Sequence, residues 1–453
     1  MTEVFFRSAT EVAASVRDGR LSARELAELS LDRIEAINPA LHAVVETCRP
    51  AALDAAAAAD RAVASGTRTG RLHGVPMTIK EAFQVAGMRS TWGEPAFAGQ
   101  VADRDAVVVR RLREAGAVLL GTTNVPPMLA DVTQTANELY GRTVNPWDPT
   151  RTAGGSSGGA AASVAAGLAY LEYGSDLTGS IRVPAAFCGV YGLKPSAGTV
   201  PLTGFQPPGP PAGASDMAYL SAVGPLARSA GDLRTALSVT AGPEEPEAAA
   251  YTWRPAPPRH ARLADFRVGV VLDHDRAPVT GEVGRALSDA VDALARAGAT
   301  IVAGWPDGVD PAGQAESFGF EVAQFFAFHG GDAGFATLPQ VVEQHDRRMA
   351  ARSQWRRYFT DVDVFLCPAT FTAAFPHPSS TEAEGLHHGL AFWIAYASLA
   401  GLPAVSAPVG RTPGGLPVGC QIIGPPYEDD TPITFAELAA EVLGGFRAPP
   451  AAG

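Results

Sequence analysis

The stretch GGSSGGAAASVAAGLAYLEYGSDLTGSIRVPAAFCGVYGLK, residues 154–194, decides the fold of this chain. It begins densely with glycine and serine, yet it does not resemble a flexible linker, because residues 160–171 form an apolar run fit for burial. Ser156 and Ser157 precede this run, and a second polar cluster, residues 176–182, follows it. A helix-like run of this length can fold the two clusters together. The pattern therefore predicts a site where the two ends of the stretch meet.

Outside this stretch, short apolar runs alternate with helical patterns. Residues 75–79 predict a buried strand with Lys80 at its end, and residues 105–116 predict a helix that leads into a strand over 117–120. The alternation resumes later in the chain, with strands over 266–273, 299–305 and 362–369, helices over 281–297 and 390–400, and a hairpin of 402–410 with 418–424. Strands and helices in alternation predict an α/β fold: a single large domain with a mixed β-sheet core flanked by helices.

The first 66 residues predict an N-terminal helical segment packed on the core. Capping patterns and apolar spacing place its helices over 8–19, from Ser22 to Asn38–Pro39, and over 51–65. Residues 67–453 then form the main domain, in which the Pro-rich piece 242–258 is a connector. A second Pro- and Gly-rich piece, residues 201–215, predicts a surface excursion near the site.

Composition excludes several classes of function. The formal net charge of −12, without a dense basic tract, disfavours a nucleic-acid partner. The longest apolar run is too short and too rich in alanine and glycine to span a bilayer, so no membrane partner is expected. The four cysteines show no zinc-binding spacing and no secretory signal is visible, which predicts reduced thiols in a cytoplasmic protein without a bound metal.

Ser180 is a candidate nucleophile because glycine precedes it and the surrounding turn offers backbone amides for an oxyanion. Its context, TGSIR, does not fit the GxSxG elbow of hydrolases with a Ser–His–Asp triad, so another base is needed. Lys80 can supply it, since a lysine desolvated at a strand end can lose its proton. The chain has only one other lysine, Lys194. The alternatives are an ordinary Ser/Gly turn and a solvated surface charge.

Taken together, TIKEAF around Lys80, GGSSGG and GSDLTGSIRVPAAFCGVYGLKP resemble the amidase signature family, the Ser-cis-Ser-Lys amide hydrolases. The resemblance covers most of the chain from Leu72 onward. It extends to TNVPP, NPWDPTRTAGGSSGG, GPLARSAGDL, FLCPATFTAAFPH and GLPVGCQIIGPPYED. It implies the amidase signature fold.

Residue by residue, the resemblance implies Lys80 as the base, Ser156 as the relay serine at a cis peptide bond and Ser180 as the acyl-forming nucleophile. The backbone amides implied for the oxyanion hole are those of Leu177, Thr178 and Gly179. The residues implied to support the site by hydrogen bonds are Ser157, Asp176 and Arg182.

The implied activity is that of an amidase, which hydrolyses a small carboxylic acid amide to the acid and ammonia or an amine through a Ser180 acyl-enzyme. It requires no cofactor, takes a small-molecule amide as its partner and allows a homodimer. Alternatives within the family are a carbamate, urea or ester hydrolase, an acyltransferase, and the glutamine-hydrolysing subunit of a tRNA-dependent amidotransferase, although SIRVP departs from the usual SIRQP of those subunits. A nucleotide-binding protein is a distant alternative, because GGSSGG lacks the lysine of a phosphate-binding loop.

Three residues depart from the family pattern and bear on the substrate more than on the reaction. Thr178 replaces a glycine, Glu81 replaces an aspartate after the lysine, and Pro127 stands where a glutamate is usual. Two further groups fit either a role in the site or an ordinary role in packing and at the surface: the histidines His377, His387 and His388, and the aromatic residues Phe371, Phe375, Phe392, Trp393 and Tyr396.

Overall fold

The structure, a computed structural model, describes residues 2–67, 69–208, 220–328 and 334–450. Most of the excursion predicted over 201–215 is within this range, and its residues 209–215 lie outside the described residues.

Twelve α-helices lie in the described part of the chain, and they follow the apolar spacing of the sequence. They are α1 Ala9–Arg17, α2 Ala23–Leu41, α3 Arg49–Ala64, α4 Val107–Glu114, α5 Gly158–Ala165, α6 Arg182–Cys188, α7 Ala230–Thr240, α8 Gly281–Arg296, α9 Pro311–Phe328, α10 Leu338–Tyr358, α11 Ser380–Ala400 and α12 Asp430–Leu443.

The strands are short and most of them are buried on both faces. They are β1 Val44–Thr47, β2 Pro76–Lys80, β3 Val118–Thr123, β4 Ala136–Asn137, β5 Gly141–Arg142, β6 Val144–Asn145, β7 Asp148–Thr152, β8 Leu171–Asp176, β9 Tyr191–Lys194, β10 Ala222–Ala227, β11 Arg267–Val270, β12 Thr300–Ala303, β13 Val364–Pro368, β14 Ala404–Arg411 and β15 Pro417–Ile423.

Eleven of these strands form one mixed sheet, in the order β1-β3-β2-β8-β10-β9-β14-β15-β13-β11-β12. The strands β3, β2 and β8 run parallel, whereas β10 is antiparallel to both β8 and β9. Because the sheet continues from the first half of the chain into the second, the α/β prediction with one mixed sheet is confirmed. The hairpin predicted near the C-terminus is β14 with β15.

The N-terminal segment differs from the prediction in two ways. Residues 44–47 form β1, which pairs with β3 at the edge of the sheet, so this segment is not purely helical. Helix α2 also runs past Pro39 to Leu41 and ends at His42, whose φ of 52° is left-handed. Pro39 lies in the last turn of α2, where its effect on the helix is small.

The central elements of the fold are the ones that position the site. Helix α5 is apolar on all sides and every one of its residues is buried, which is possible because it consists of glycine, alanine, serine and valine. It packs on β2, β8 and α6. The parallel strands β2 and β8 therefore end at one edge of the sheet, beside the beginning of α5.

Candidate active site

Lys80 is the last residue of β2, and its side chain is completely buried. Its Nζ donates hydrogen bonds to three serine hydroxyls: Ser156 Oγ at 2.6 Å, Ser157 Oγ at 2.9 Å and Ser175 Oγ at 2.9 Å. A buried amine surrounded by neutral hydroxyls has little to stabilise its positive charge. Burial therefore lowers the pKa of Lys80 to about 7, against the opposing fields of Asp176 and Glu172.

Ser156 follows a cis peptide bond between Gly155 and itself, immediately before α5. Gly155 N–H donates to the carbonyl of Val132, 2.9 Å away. A Cβ on Gly155 would lie 2.2 Å from the carbonyl oxygen of Asp131, so only glycine fits at this position. The double glycine of GGSSGG thus lets the segment before α5 pass against a neighbouring loop.

Ser180 lies between β8 and α6, and its exposure is only 4 %. Its carbonyl accepts a hydrogen bond from Ser157 N–H, at 3.1 Å, which joins the two polar clusters of the stretch. Within the described residues no hydrogen bond links the Ser156 and Ser180 hydroxyls. The structure therefore brings Lys80, Ser156 and Ser180 into one site, with a direct side-chain contact between the first two.

The turn before Ser180 differs in one respect from the expected oxyanion hole. Gly179, with a φ of +90°, donates its N–H to Asp176 Oδ1 at 2.9 Å. That amide is engaged, so its assignment as an oxyanion donor is corrected. The amides of Leu177 and Thr178 make no hydrogen bond to any residue that the structure describes, and these two amides are left for an oxyanion.

Asp176 and Arg182 form a completely buried ion pair, with 2.8 Å between Asp176 Oδ1 and an Arg182 nitrogen. Burial by itself would raise the pKa of Asp176, but Arg182 outweighs it and holds the pKa below its usual value. Asp176 also accepts hydrogen bonds from the amides of Ile181 and Arg182. The pair fixes the turn that carries Ser180.

Among the family departures, Glu81 has a clear structural role. Its carboxylate accepts hydrogen bonds from the amides of Thr91 and Trp92 and from the Thr91 hydroxyl. Burial raises its pKa to about 7. Thr178 is buried beside the oxyanion amides, whereas Pro127 is exposed in a 3-10 turn.

The five aromatic residues divide into two groups. Phe392, Trp393 and Tyr396 belong to a core cluster together with Trp355 and Phe365, so for them the packing interpretation holds. Phe371 and Phe375 belong to a different apolar cluster, which includes Ile394 of α11. A Cβ on Gly179 would lie 3.0 Å from Ile394 Cγ2, so this second cluster borders the Ser180 turn.

The three histidines do not meet at one point. His388 is exposed and bonds to the Glu384 carbonyl in its own helix, and His377 is half-buried. His387 is the exception, because burial lowers its pKa and the field of Asp131 opposes this shift. Asp131 belongs to the loop that packs against Gly155.

Two residues of the site were not predicted from the sequence. Ser175 contacts the Lys80 amine, and Glu172, completely buried on β8, accepts hydrogen bonds from Thr78 and Thr123. Glu172 could have been recognised as a lone ionisable residue between leucine and tyrosine in an apolar strand. Ser175 has no comparable signal, because a serine beside glycine also fits an ordinary turn.

The described residues contain no group of three or more histidines, cysteines or acidic residues arranged to hold a metal ion. None of the helices within the described ranges is long and apolar enough to cross a membrane.

Comparison with known proteins agrees with this arrangement. The amidase family model matches residues 25–328 and 310–432. Indoleacetamide hydrolase of Bradyrhizobium diazoefficiens is 35% identical to the chain, over 95% of this chain and 85% of that protein. A subunit of the glutamyl-tRNA(Gln) amidotransferase of Carboxydothermus hydrogenoformans is 33% identical, over 96% of both proteins. The solved structure of 6-aminohexanoate cyclic dimer hydrolase with substrate superposes with a TM-score of 0.82 at 26% identity, covering 99% of this chain and 100% of that one.

The chain therefore belongs to the amidase family, whose members hydrolyse C–N amide bonds. The resemblance predicted from the sequence motifs is confirmed.

Proposed function

We propose that this protein hydrolyses a small, uncharged carboxylic acid amide through an acyl-enzyme on Ser180, with Lys80 as the base and Ser156 as the relay. The observation that carries the proposal is the Lys80 amine, which is fully buried and lies 2.6 Å from Ser156 Oγ. A lysine with a pKa of about 7 is available as a neutral base near neutral pH.

In the first step, neutral Lys80 takes the proton of Ser156 Oγ, and Ser156 in turn takes the proton of Ser180 Oγ. The Ser180 oxygen then attacks the amide carbonyl. The negative charge that develops on the carbonyl oxygen needs donors, and the amides of Leu177 and Thr178 supply them. The fixed turn held by Asp176 and Arg182 keeps these amides in place.

Collapse of the tetrahedral intermediate breaks the C–N bond, and the proton held by Lys80 passes back through Ser156 to the departing amine. Water then gives its proton to the same relay and attacks the ester, which releases the carboxylic acid and restores Ser180. Every proton that leaves a serine is thus returned, and the reaction needs no further reactant.

The surroundings of Ser180 favour an uncharged acyl group. The apolar cluster beside the Ser180 turn includes Val132, Phe375, Leu390 and Ile394. A charged acyl group placed against these side chains would lose hydration without gaining a partner. The name of the relative indoleacetamide hydrolase, which implies an uncharged aromatic acetamide, is in keeping with such a site.

The test is a mass-spectrometric screen of amides, with carbamates and esters included, for release of the acid. We expect turnover of uncharged amides and an acyl adduct on Ser180 in samples quenched during turnover. Ser180→Ala removes the attacking oxygen and should lower turnover by at least about a thousandfold. Full turnover in Ser180→Ala, or an adduct on another residue, would contradict the assignment.

A second candidate is the glutamine-hydrolysing subunit of a tRNA-dependent amidotransferase, which the similarity to the Carboxydothermus protein supports. The same screen with glutamine separates the two. Glutamine turnover that appears only with added partner subunits, together with inert simple amides, would favour this second function.

A further inference from the structure

The Glu172 carboxyl is completely buried on β8 and takes no part in the proposed reaction. We propose that Glu172 is a positioning residue for the relay: its carboxyl lies on the same face of the sheet as Lys80 and controls the pH at which the Lys80 amine can accept a proton. This role rests on the proposed function of Lys80 as the base.

Two threonine hydroxyls place the carboxyl next to Lys80. Thr78 precedes Lys80 by two residues on β2, so the two side chains point to the same face of the sheet. The Thr78 hydroxyl donates to Glu172 Oε2. Thr123, which is the β3 partner of Lys80 in the sheet, donates to Glu172 Oε1 at 2.9 Å. The carboxyl is therefore held by β3 and by β2, the strand that carries Lys80.

Helix α5 covers this face of the sheet. Ser163 of α5 lies 3.2 Å from the Thr78 hydroxyl, and Ser157, just before α5, contacts the Lys80 amine. Gly174, two residues after Glu172 on β8, leaves the space for Ser157, since a Cβ there would lie 2.9 Å from Ser157 Oγ. Carboxyl, amine and relay are thus enclosed between one helix and three strands.

Few other charges act on this pair. Asp176, at the end of β8, is the other acidic group that acts on Lys80, and its own partner is Arg182. The packed elements α5, β3 and β10 carry no ionisable side chain, and α2 buries only uncharged residues. In the described structure no cation lies within ion-pair distance of Glu172. Among the described residues, Lys80 is consequently the only cation whose field acts on the Glu172 carboxyl.

Burial raises the pKa of Glu172 to about 8, although the hydroxyls of Thr78 and Thr123 and the charge of Lys80 oppose this shift. The pKa of Lys80 is about 7, so both groups change charge in the same pH range. Two groups that interact in this way lose their protons in steps that belong to the pair. Whenever Glu172 is ionised it favours the Lys80 ammonium, which cannot act as a base.

The experiment measures the pH dependence of Ser180 labelling by a fluorophosphonate, a probe that phosphonylates an activated serine and releases fluoride. Labelling needs no knowledge of the natural substrate. Glu172→Gln keeps the shape and an acceptor for the threonines but cannot ionise. We expect its labelling midpoint to fall by about one pH unit, which raises the labelling rate below the midpoint about tenfold. Thr123→Val, which removes one donor to the carboxylate, should move the midpoint less and in the same direction.

Asp232→Asn is the matched control, because Asp232 is a buried carboxyl that also accepts hydrogen bonds from a threonine hydroxyl and backbone amides, but its partners are Ala9 and Thr10 of α1. This control should lower stability and leave the midpoint unchanged. A midpoint equal to that of the parent protein in Glu172→Gln, with only a change in melting temperature, would overturn the role. If Glu172→Gln does not fold, an unchanged midpoint in Thr123→Val would overturn it equally. A parent protein whose Ser180 is not labelled would overturn the proposed function itself.

Discussion

Lys80 and Lys194 are the only lysines of the chain, and both are completely buried at strand ends. Burial lowers the pKa of each to about 7. Their partners separate them, because Lys80 contacts three serine hydroxyls whereas Lys194 donates to the carbonyl of Pro195. A base needs a proton donor beside it, and a carbonyl has no proton to give. Burial alone therefore does not identify the base.

The first prediction concerns the pH dependence that Lys80 confers. Below its pKa of about 7 the amine is protonated and cannot accept the Ser156 proton, so fluorophosphonate labelling of Ser180 should rise as the pH increases through about 7. Lys80→Met should lower the labelling rate about a hundredfold or more. Lys194→Met is the matched control and should keep the rise with pH. Loss of that rise in Lys194→Met but not in Lys80→Met would contradict the assignment of the base.

At the scale of elements, the site depends on where three segments begin and end. Strands β2 and β8 are parallel, so Lys80 and Asp176, their last residues, lie at one edge of the sheet. Helix α5 begins at the same edge, immediately after Ser156 and Ser157. Close approach of the loop before α5 to residues 131–134 is possible because Gly155 has no side chain.

Gly155→Ala tests this close approach. Its Cβ would lie 2.2 Å from the Asp131 carbonyl oxygen and 2.5 Å from that of Gln134, and neither backbone atom can move without its loop. We expect the free energy of unfolding, measured by urea denaturation, to fall by roughly 1–3 kcal/mol, with slower Ser180 labelling.

Gly319→Ala is the control for that substitution, because Gly319 lies on α9 with nothing within 4 Å of the added Cβ. Alanine is the better helix former, so this variant should be more stable by about 0.5–1 kcal/mol. Equal stability losses in the two variants would show that the space around Gly155 is not the limiting factor.

At the scale of the whole molecule, Arg182 joins the turn of Ser180 to the second half of the chain. Besides its pair with Asp176, its guanidinium donates to the Ile394 carbonyl at 2.9 Å, to the Ser398 hydroxyl at 2.7 Å and to the Gln421 side chain. These partners lie on α11 and β15. The geometry of the site therefore depends on the packing of segments more than 200 residues apart.

Arg182→Met should be the most destabilising of these substitutions. Methionine fills part of the volume but leaves Asp176 as an unpaired buried charge, which costs roughly 3–5 kcal/mol. Urea denaturation measures the loss. Arg20→Met, which breaks the exposed pair of Arg20 with Asp18, should change the free energy of unfolding by about 0.5 kcal/mol or less. Similar losses in both variants would argue against the anchoring role of Arg182.

Much of this arrangement was predictable from local sequence. The apolar runs before Lys80 and after Ser157 predicted the strand and the helix that hold these residues, because burial of an apolar run is a local property of the sequence. The strand over 44–47 was not predicted, since four residues between two helices acquire their β structure only by pairing with β3.

The sequence by itself determined the α/β fold, the family motifs and the residues proposed as base, relay and nucleophile, because these are encoded in short runs of neighbouring residues. Only the tertiary structure decided that the Gly179 amide is taken by Asp176, that Ser175 contacts the Lys80 amine, and that Glu172 lies beside it. Each of these contacts depends on how β2, β3 and β8 align and on a turn that the ion pair closes. Such alignment is set by packing across the whole sheet, and no short stretch of sequence records it.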